Sequence, residues 1–174
     1  NPDLFRPENP TKELSAAAWR RDIPKIDALL AKSVSINALN ESGKTALMEA
    51  AFMGANESVD HLLAKGADVN AIGIRGDSAL MVAAYMGQTS TITLLLAKGA
   101  DVNWSNQDGT TALMEAARTG HAPAVELLLS KGALPNAIDR QGSTALMAVA
   151  SGGNTAIAGL LTGEGAAINA VDKI

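Results

Sequence analysis

The chain has 174 residues, a formal net charge of −4, no cysteine, and hydrophobic and aromatic contents of 47% and 3%. A chain of this length and hydrophobic content can bury one sizeable core, which excludes intrinsic disorder, and no apolar run approaches the ~18 residues of a membrane span. The negative charge argues against a phosphate-binding surface, so we expect no nucleic acid as a partner, and the absence of cysteine excludes disulfides and cysteine-ligated zinc.

The sequence repeats itself every 33 residues. Asparagine recurs at this spacing without an insertion, and leucine does so in two further columns. The columns are Asn37, Asn70, Asn103, Asn136 and Asn169; Leu14, Leu47, Leu80, Leu113 and Leu146; and Leu29, Leu62, Leu95, Leu128 and Leu161. Such recurrence is not chance, so each period is predicted to be one structural unit that buries its apolar face only by stacking on its neighbours.

The first predicted unit is degenerate. Pro10 stands where later copies have glycine, and Ser33 stands in the column of Gly66. We interpret residues 1–36 as an N-terminal segment followed by a capping repeat.

The next unit, residues 37–69, predicts two short helices and a projecting loop. A first helix over residues 45–53 begins at Thr45, a good N-cap, and carries apolar residues at the spacing of one helical face. Gly54 supplies the left-handed residue that ends it. A second helix covers about residues 57–65.

The same pattern continues through residues 70–102, 103–135 and 136–168, and residues 169–174 begin a further loop. The last unit is the weakest, because Gly159 and Gly163 fall inside its second helix. Each costs roughly 1 kcal/mol relative to alanine, and the unit is predicted to lack a full apolar stripe.

The segments TALMEAA (45–51) and LLAKGADVNA (62–71) resemble the ankyrin repeat, in which T-P-L-H-x-A-A is followed by G-A-D-V-N. The resemblance covers residues 11–174 and implies an all-α solenoid of about five helix-turn-helix repeats with projecting loops. The family's proline is alanine here, and its histidine is methionine, at Met48, Met81, Met114 and Met147. We expect these methionines to contribute packing through their flexible thioethers.

The resemblance also implies a non-enzymatic scaffold that binds another protein on a concave face made of loop tips and exposed helix ends. One column on that face reads Trp19, Phe52, Tyr85 and Arg118, and the next contains Met53 and Met86. Aromatic residues, methionine and arginine are enriched in protein interfaces. Stacked helices 8–10 Å apart would make the first column a ladder about 20 Å long. The loop tips add a set of mixed charge that includes Lys44, Arg75, Asp77 and Asp108.

Several alternatives are open from the sequence. The aromatic rings could pack between helices instead of facing a partner. Trp104, which interrupts a column of alanines, is either a packing insertion or an extra exposed anchor. The chain could also be a self-associating subunit of a larger assembly that uses its C-terminal end, or an enzyme. We expect the protein to be located in the cytoplasm. The alternative is that it is periplasmic or secreted after removal of an upstream signal.

One segment resembles a nucleotide-binding motif. ALNESGKT at residues 38–45 fits a relaxed phosphate-loop pattern, but its glycine and threonine recur as repeat-column residues, and no buried parallel strand is predicted before it. His61 and His121 lie 60 residues apart in the sequence, without a carboxylate cluster beside them. We therefore expect no catalytic residue, no cofactor, no metal site and no small-molecule substrate.

Overall fold

The computed structural model describes residues 9–168, which form ten α-helices in five consecutive pairs. The predictions made for residues 1–8 and 169–174, including the role of Asn169, lie outside the described residues. The helices are α1 (Pro10–Arg20), α2 (Ile23–Ala31), α3 (Ala46–Phe52), α4 (Asn56–Ala64), α5 (Ala79–Tyr85), α6 (Thr89–Ala97), α7 (Ala112–Arg118), α8 (Ala122–Ser130), α9 (Ala145–Gly152) and α10 (Thr155–Gly163).

The helices stack in two layers. The first helix of each pair packs on the first helix of the next, in the order α1, α3, α5, α7 and α9, and the helices α4, α6, α8 and α10 pack in the same way. The all-α solenoid is therefore confirmed. No helix in the described residues is both long and apolar enough to cross a membrane.

The first helices α3, α5, α7 and α9 start with a threonine or serine cap, as predicted for Thr45. The Thr45 hydroxyl accepts a hydrogen bond from the backbone N–H of Met48 at 3.2 Å, and Gly54 follows α3 with φ +63. The exception is α1, which has 11 residues where α3 has seven. The Asn9 side chain caps α1 and Pro10 occupies its first turn. Proline is favourable there because its missing N–H would have no helical partner.

The leucine columns form the core. Leu47, Leu80, Leu62 and Leu95 are buried, whereas Leu146 in α9 is only half-buried. The methionines also pack as predicted: Met48, Met81 and Met114 are buried and Met147 is half-buried. Burial decreases at α9 because the described part of the chain has no further first helix to cover it.

The recurring asparagine joins the turn after one helix pair to the turn after the next helix pair. The Asn70 side chain accepts a hydrogen bond from the Asp101 N–H at 2.9 Å and donates one to the Gly99 carbonyl at 3.2 Å. Asn103 and Asn136 make the same two bonds to the following turn. We call these pairs of bonds the asparagine clamps.

The loops pair with one another through their backbones. The Ile74 N–H donates to the Gly43 carbonyl at 2.9 Å, and the Arg140 N–H donates to the Asp108 carbonyl at 2.9 Å. A Cβ on Gly43 would lie 2.3 Å from the Ile74 side chain, so only glycine allows this approach. Trp104 donates from its indole N–H to the Gly76 carbonyl at 2.8 Å and is 37% exposed, so it is a packing insertion that keeps one exposed edge.

The expectation that the last unit lacks an apolar stripe was wrong. Ile157 and Leu161 in α10 are fully buried. Ile157 stands one position before the column of Val59, Ile92 and Val125. The stripe is therefore displaced along the helix.

Candidate partner-binding surface

The column Trp19, Phe52, Tyr85 and Arg118 lies in the last turn of successive first helices. Phe52, Tyr85 and Arg118 are the final residues of α3, α5 and α7. Trp19 and Tyr85 are 43% and 42% exposed, and Phe52 is half-buried. The core face of these helices is filled by leucine and alanine. The rings consequently stand at the edge of the core.

Six of the predicted residues line one groove of about 350 Å³. Its first wall is made by loop side chains and its second by the first helices of three successive units. The loop wall is Lys44, Arg75 and Asp77, and the helix wall is Phe52, Met81, Val82, Tyr85, Glu115 and Arg118. We call this space the groove.

Two cations cover the two aromatic rings of the groove. The Lys44 ammonium lies 5.2 Å from the centroid of the Phe52 ring, and the Arg118 guanidinium lies 5.5 Å from that of Tyr85. At exposed sites each such contact contributes about 0.5–1 kcal/mol. Glu115, one turn before Arg118 on α7, forms an ion pair with the guanidinium. Arg118 thus contacts both Tyr85 and Glu115 in the chain without a partner.

The other loop charges bind within the loop layer. The Arg75 guanidinium lies 3.7 Å from the Asp108 carboxylate, and both side chains are well exposed. An exposed pair at this distance contributes little. Asp77 accepts a hydrogen bond from the Asn106 amide at 2.7 Å. Asp108 therefore touches the groove only through Arg75.

The remaining predicted residues lie apart from the groove. Trp19 lines a separate depression of about 230 Å³ between α1 and the first loop. Met53 and Met86 are the C-cap residues of α3 and α5. Met53 is exposed and Met86 half-buried, and neither lines the groove.

Sequence reasoning missed Val82 and Glu115. They belong to the column Glu49, Val82, Glu115 and Ala148, which varies in size and charge between otherwise similar units. This variation is the signal that could have identified them. It was overlooked because the column falls in the middle of a seven-residue helix and resembled part of its packing face.

Outside the groove, one ionic cluster joins the first two units. Asp27 on α2 accepts from the His61 ring at 2.9 Å and from the Lys65 ammonium at 2.9 Å. The hydrogen bond from Lys65, followed by that from His61, lowers the pKa of the Asp27 carboxyl below its usual value. Within residues 9–168, no group of three or more histidines and carboxylates could hold a metal ion.

Comparison with curated proteins gave no match to this sequence. A family model described as ankyrin repeats (3 copies) matches residues 9–73 and 80–172, which is most of the chain. The expected resemblance is thereby confirmed. Members of this family generally mediate protein–protein interactions and are typically non-enzymatic. On the strength of this match and of the stacked helix pairs, the chain belongs to the ankyrin-repeat family.

Proposed function

We propose that this chain is a non-enzymatic scaffold that binds another protein on its concave face, with the groove as the centre of the contact. The observation that supports this most is Tyr85, a large ring that is 42% exposed although it lies midway along the stack. Its hydroxyl suits the boundary between apolar surface and water.

The groove has the properties of a binding hot spot. Such sites concentrate their energy in a few aromatic and arginine side chains. Tyr85 and Arg118 are packed on each other, and Glu115 fixes the arginine. These contacts restrict the two side chains, which lowers the conformational entropy that they lose when a partner binds. Trp19, Met53 and Met86 extend the proposed contact beyond the groove.

The proposal is tested by the double substitution Phe52→Ala with Tyr85→Ala. We expect the melting temperature to fall by only a few degrees, because neither ring is in the core and each lost cation–π contact contributes about 0.5–1 kcal/mol. Affinity for the partner recovered by affinity purification with the wild-type chain should fall more than tenfold, or about 1.4 kcal/mol. Titration calorimetry on the purified pair measures the affinity. Scanning calorimetry on the chain alone measures the melting temperature.

The matched control is Leu134→Ala with Ile138→Ala. Both side chains are more than half exposed, and neither lines the groove, so binding should be unaffected. If the ring double variant unfolds, the rings are packing residues. If it folds and binds normally, the contact lies elsewhere, and Arg75, Asp77 and Asp108 are the next residues to substitute.

A further inference from the structure

The loop wall of the groove presents opposite charges in neighbouring units. Lys44 and Asp77 occupy the same repeat position, 33 residues apart, and the next two copies of that position are the uncharged Thr110 and Ser143. The pair is therefore specific to this part of the stack and does not follow from the repeat itself.

Neither of these charges has an ionic partner in the described residues. The Lys44 ammonium lies over the Phe52 ring, and the Asp77 carboxylate accepts a hydrogen bond from the neutral amide of Asn106. The other charged groups of the groove are already paired, Arg75 with Asp108 and Arg118 with Glu115. The groove therefore presents to a bound protein one cation, Lys44, and one anion, Asp77, that have no ionic partner in the described residues.

The spacing of the two charges suits an extended chain. Neighbouring stacked helices lie about 8–10 Å apart, and an extended or polyproline segment advances about 3.1–3.4 Å per residue. Side chains that reach Lys44 and Asp77 would therefore stand two or three positions apart. On the helix wall, Phe52, Val82 and Tyr85 supply apolar surface. The charges of that wall, Glu115 and Arg118, are paired with each other.

Building on the proposed function, we propose that the groove binds an extended segment of the partner that carries an acidic and a basic side chain two or three residues apart. The acidic side chain pairs with Lys44 and the basic one with Asp77. An apolar side chain between them packs on Phe52, Val82 and Tyr85. Complementary charges of this kind fix the direction and register of a bound segment more than they raise its affinity.

The test is selection from a random 12-residue peptide display library on three immobilised proteins: the wild type, the charge-swapped variant Lys44→Asp with Asp77→Lys, and a matched control. The control, Lys98→Asp with Asp60→Lys, swaps an exposed ion pair of 2.9 Å between α4 and α6. Both swaps leave the net charge unchanged. Thermal melts check that each protein is folded.

We expect the wild type and the control to enrich peptides with one fixed order of acidic and basic residues around an apolar residue. The charge-swapped variant should enrich the reversed order and bind wild-type-selected peptides at least about tenfold more weakly. An order that is random, or that survives the swap unchanged, overturns the proposal, as does the absence of any enrichment.

Two further variants, each with one charge removed, test the proposal if the charge-swapped protein is unstable. Lys44→Met should remove only the selection for the acidic residue, and Asp77→Asn only that for the basic residue. Binding of the selected peptides to Phe52→Ala with Tyr85→Ala separates the two proposals. Peptides that need the rings but show no charge order overturn this inference alone, whereas peptides that bind equally without the rings overturn the proposed function.

Discussion

Asn103 shows how much one side chain can contribute to a stacked molecule. It accepts from the Leu134 N–H at 2.9 Å and donates to the Gly132 carbonyl at 3.1 Å. Each bond contributes about 0.5–1.5 kcal/mol, so Asn103→Ala should lower the free energy of unfolding by about 1–3 kcal/mol, measured by urea denaturation. Asn103→Asp keeps the acceptor but sets a carboxylate oxygen against the Gly132 carbonyl, so it should also be less stable than the wild type. A loss below about 0.5 kcal/mol for the alanine variant would show that the clamp is not stabilising.

Asp27 makes the joint between the first two units sensitive to acid. Because Lys65 and His61 lower the pKa of its carboxyl, the charged form is favoured in the folded protein. Its stabilising contribution is present above the usual carboxyl pKa and is lost as the pH falls below about 4. Melting temperatures of the wild type and Asp27→Asn should therefore differ at neutral pH and converge in acid. A constant difference at all pH values would contradict this linkage.

The asparagine column also shows the limit of sequence reasoning at this scale. Its spacing was visible in the sequence, but its role was not, because Asn70 bonds to groups 29 and 31 residues away. These hydrogen-bond partners can be identified only from the stacked structure. The exposure of Tyr85 was predictable because leucine and alanine already filled the inward face of its helix. That the ring lies under Arg118 depends on rotamers, which repeat spacing does not specify.

Among the helices, α10 is the one in which we expect single substitutions to raise the stability of the protein. A Cβ added to Gly159 or Gly163 would meet nothing within 4 Å. Each glycine-to-alanine change should therefore stabilise the protein by up to about 1 kcal/mol, because alanine has the higher helix propensity. Thermal or urea unfolding measures the gain. The matched control is Gly99→Ala, which also has open space but a φ of +91 and should destabilise. A loss of stability at Gly159 or Gly163 would contradict the helix as described.

Element boundaries were predictable wherever a cap and a glycine flank a helix. Thr45 and Gly54 placed α3 to within a residue at each end. The start of α1 was not anticipated, because Pro10 was interpreted only as a departure from the glycine column. Its second role, as the first residue of a helix capped by Asn9, depends on an N-cap that the other units lack at that position.

Across the whole molecule, stability should fall from the middle of the stack to its end. Helix α6 packs between α4 and α8, whereas α10 packs on α8 and α9 and has no further unit beyond it in the described residues. We expect the amides of residues 92–97 to exchange hydrogen more slowly than those of residues 158–163. Hydrogen exchange followed by mass spectrometry or NMR measures this. Slower exchange in α10 would contradict a stack of nearest-neighbour units.

The architecture was predictable because a 33-residue pattern recurs along the chain and each copy predicts the same pair of helices. Local ambiguity in any copy is resolved by the others, and the ten helices follow. The unit boundaries at residues 37–69, 70–102, 103–135 and 136–168 stay predictions, since a stacked fold can be divided at any constant offset. The groove was only partly predictable, because its walls come from three units and from loops whose approach depends on backbone pairing.

The asparagine clamps hold only main-chain atoms of the turn that follows the next helix pair. The residues that supply the clamped N–H are Asp101, Leu134 and Ala167, three chemically unrelated types. The clamps therefore do not depend on the side chains of the residues they hold, unlike the bond between Asn106 and Asp77. Exchanging residues 70–102 with residues 103–135 would keep both clamps, because each lies within its own segment, and would rearrange the side chains along the groove. A protein of this kind can acquire new binding specificity through recombination of whole units.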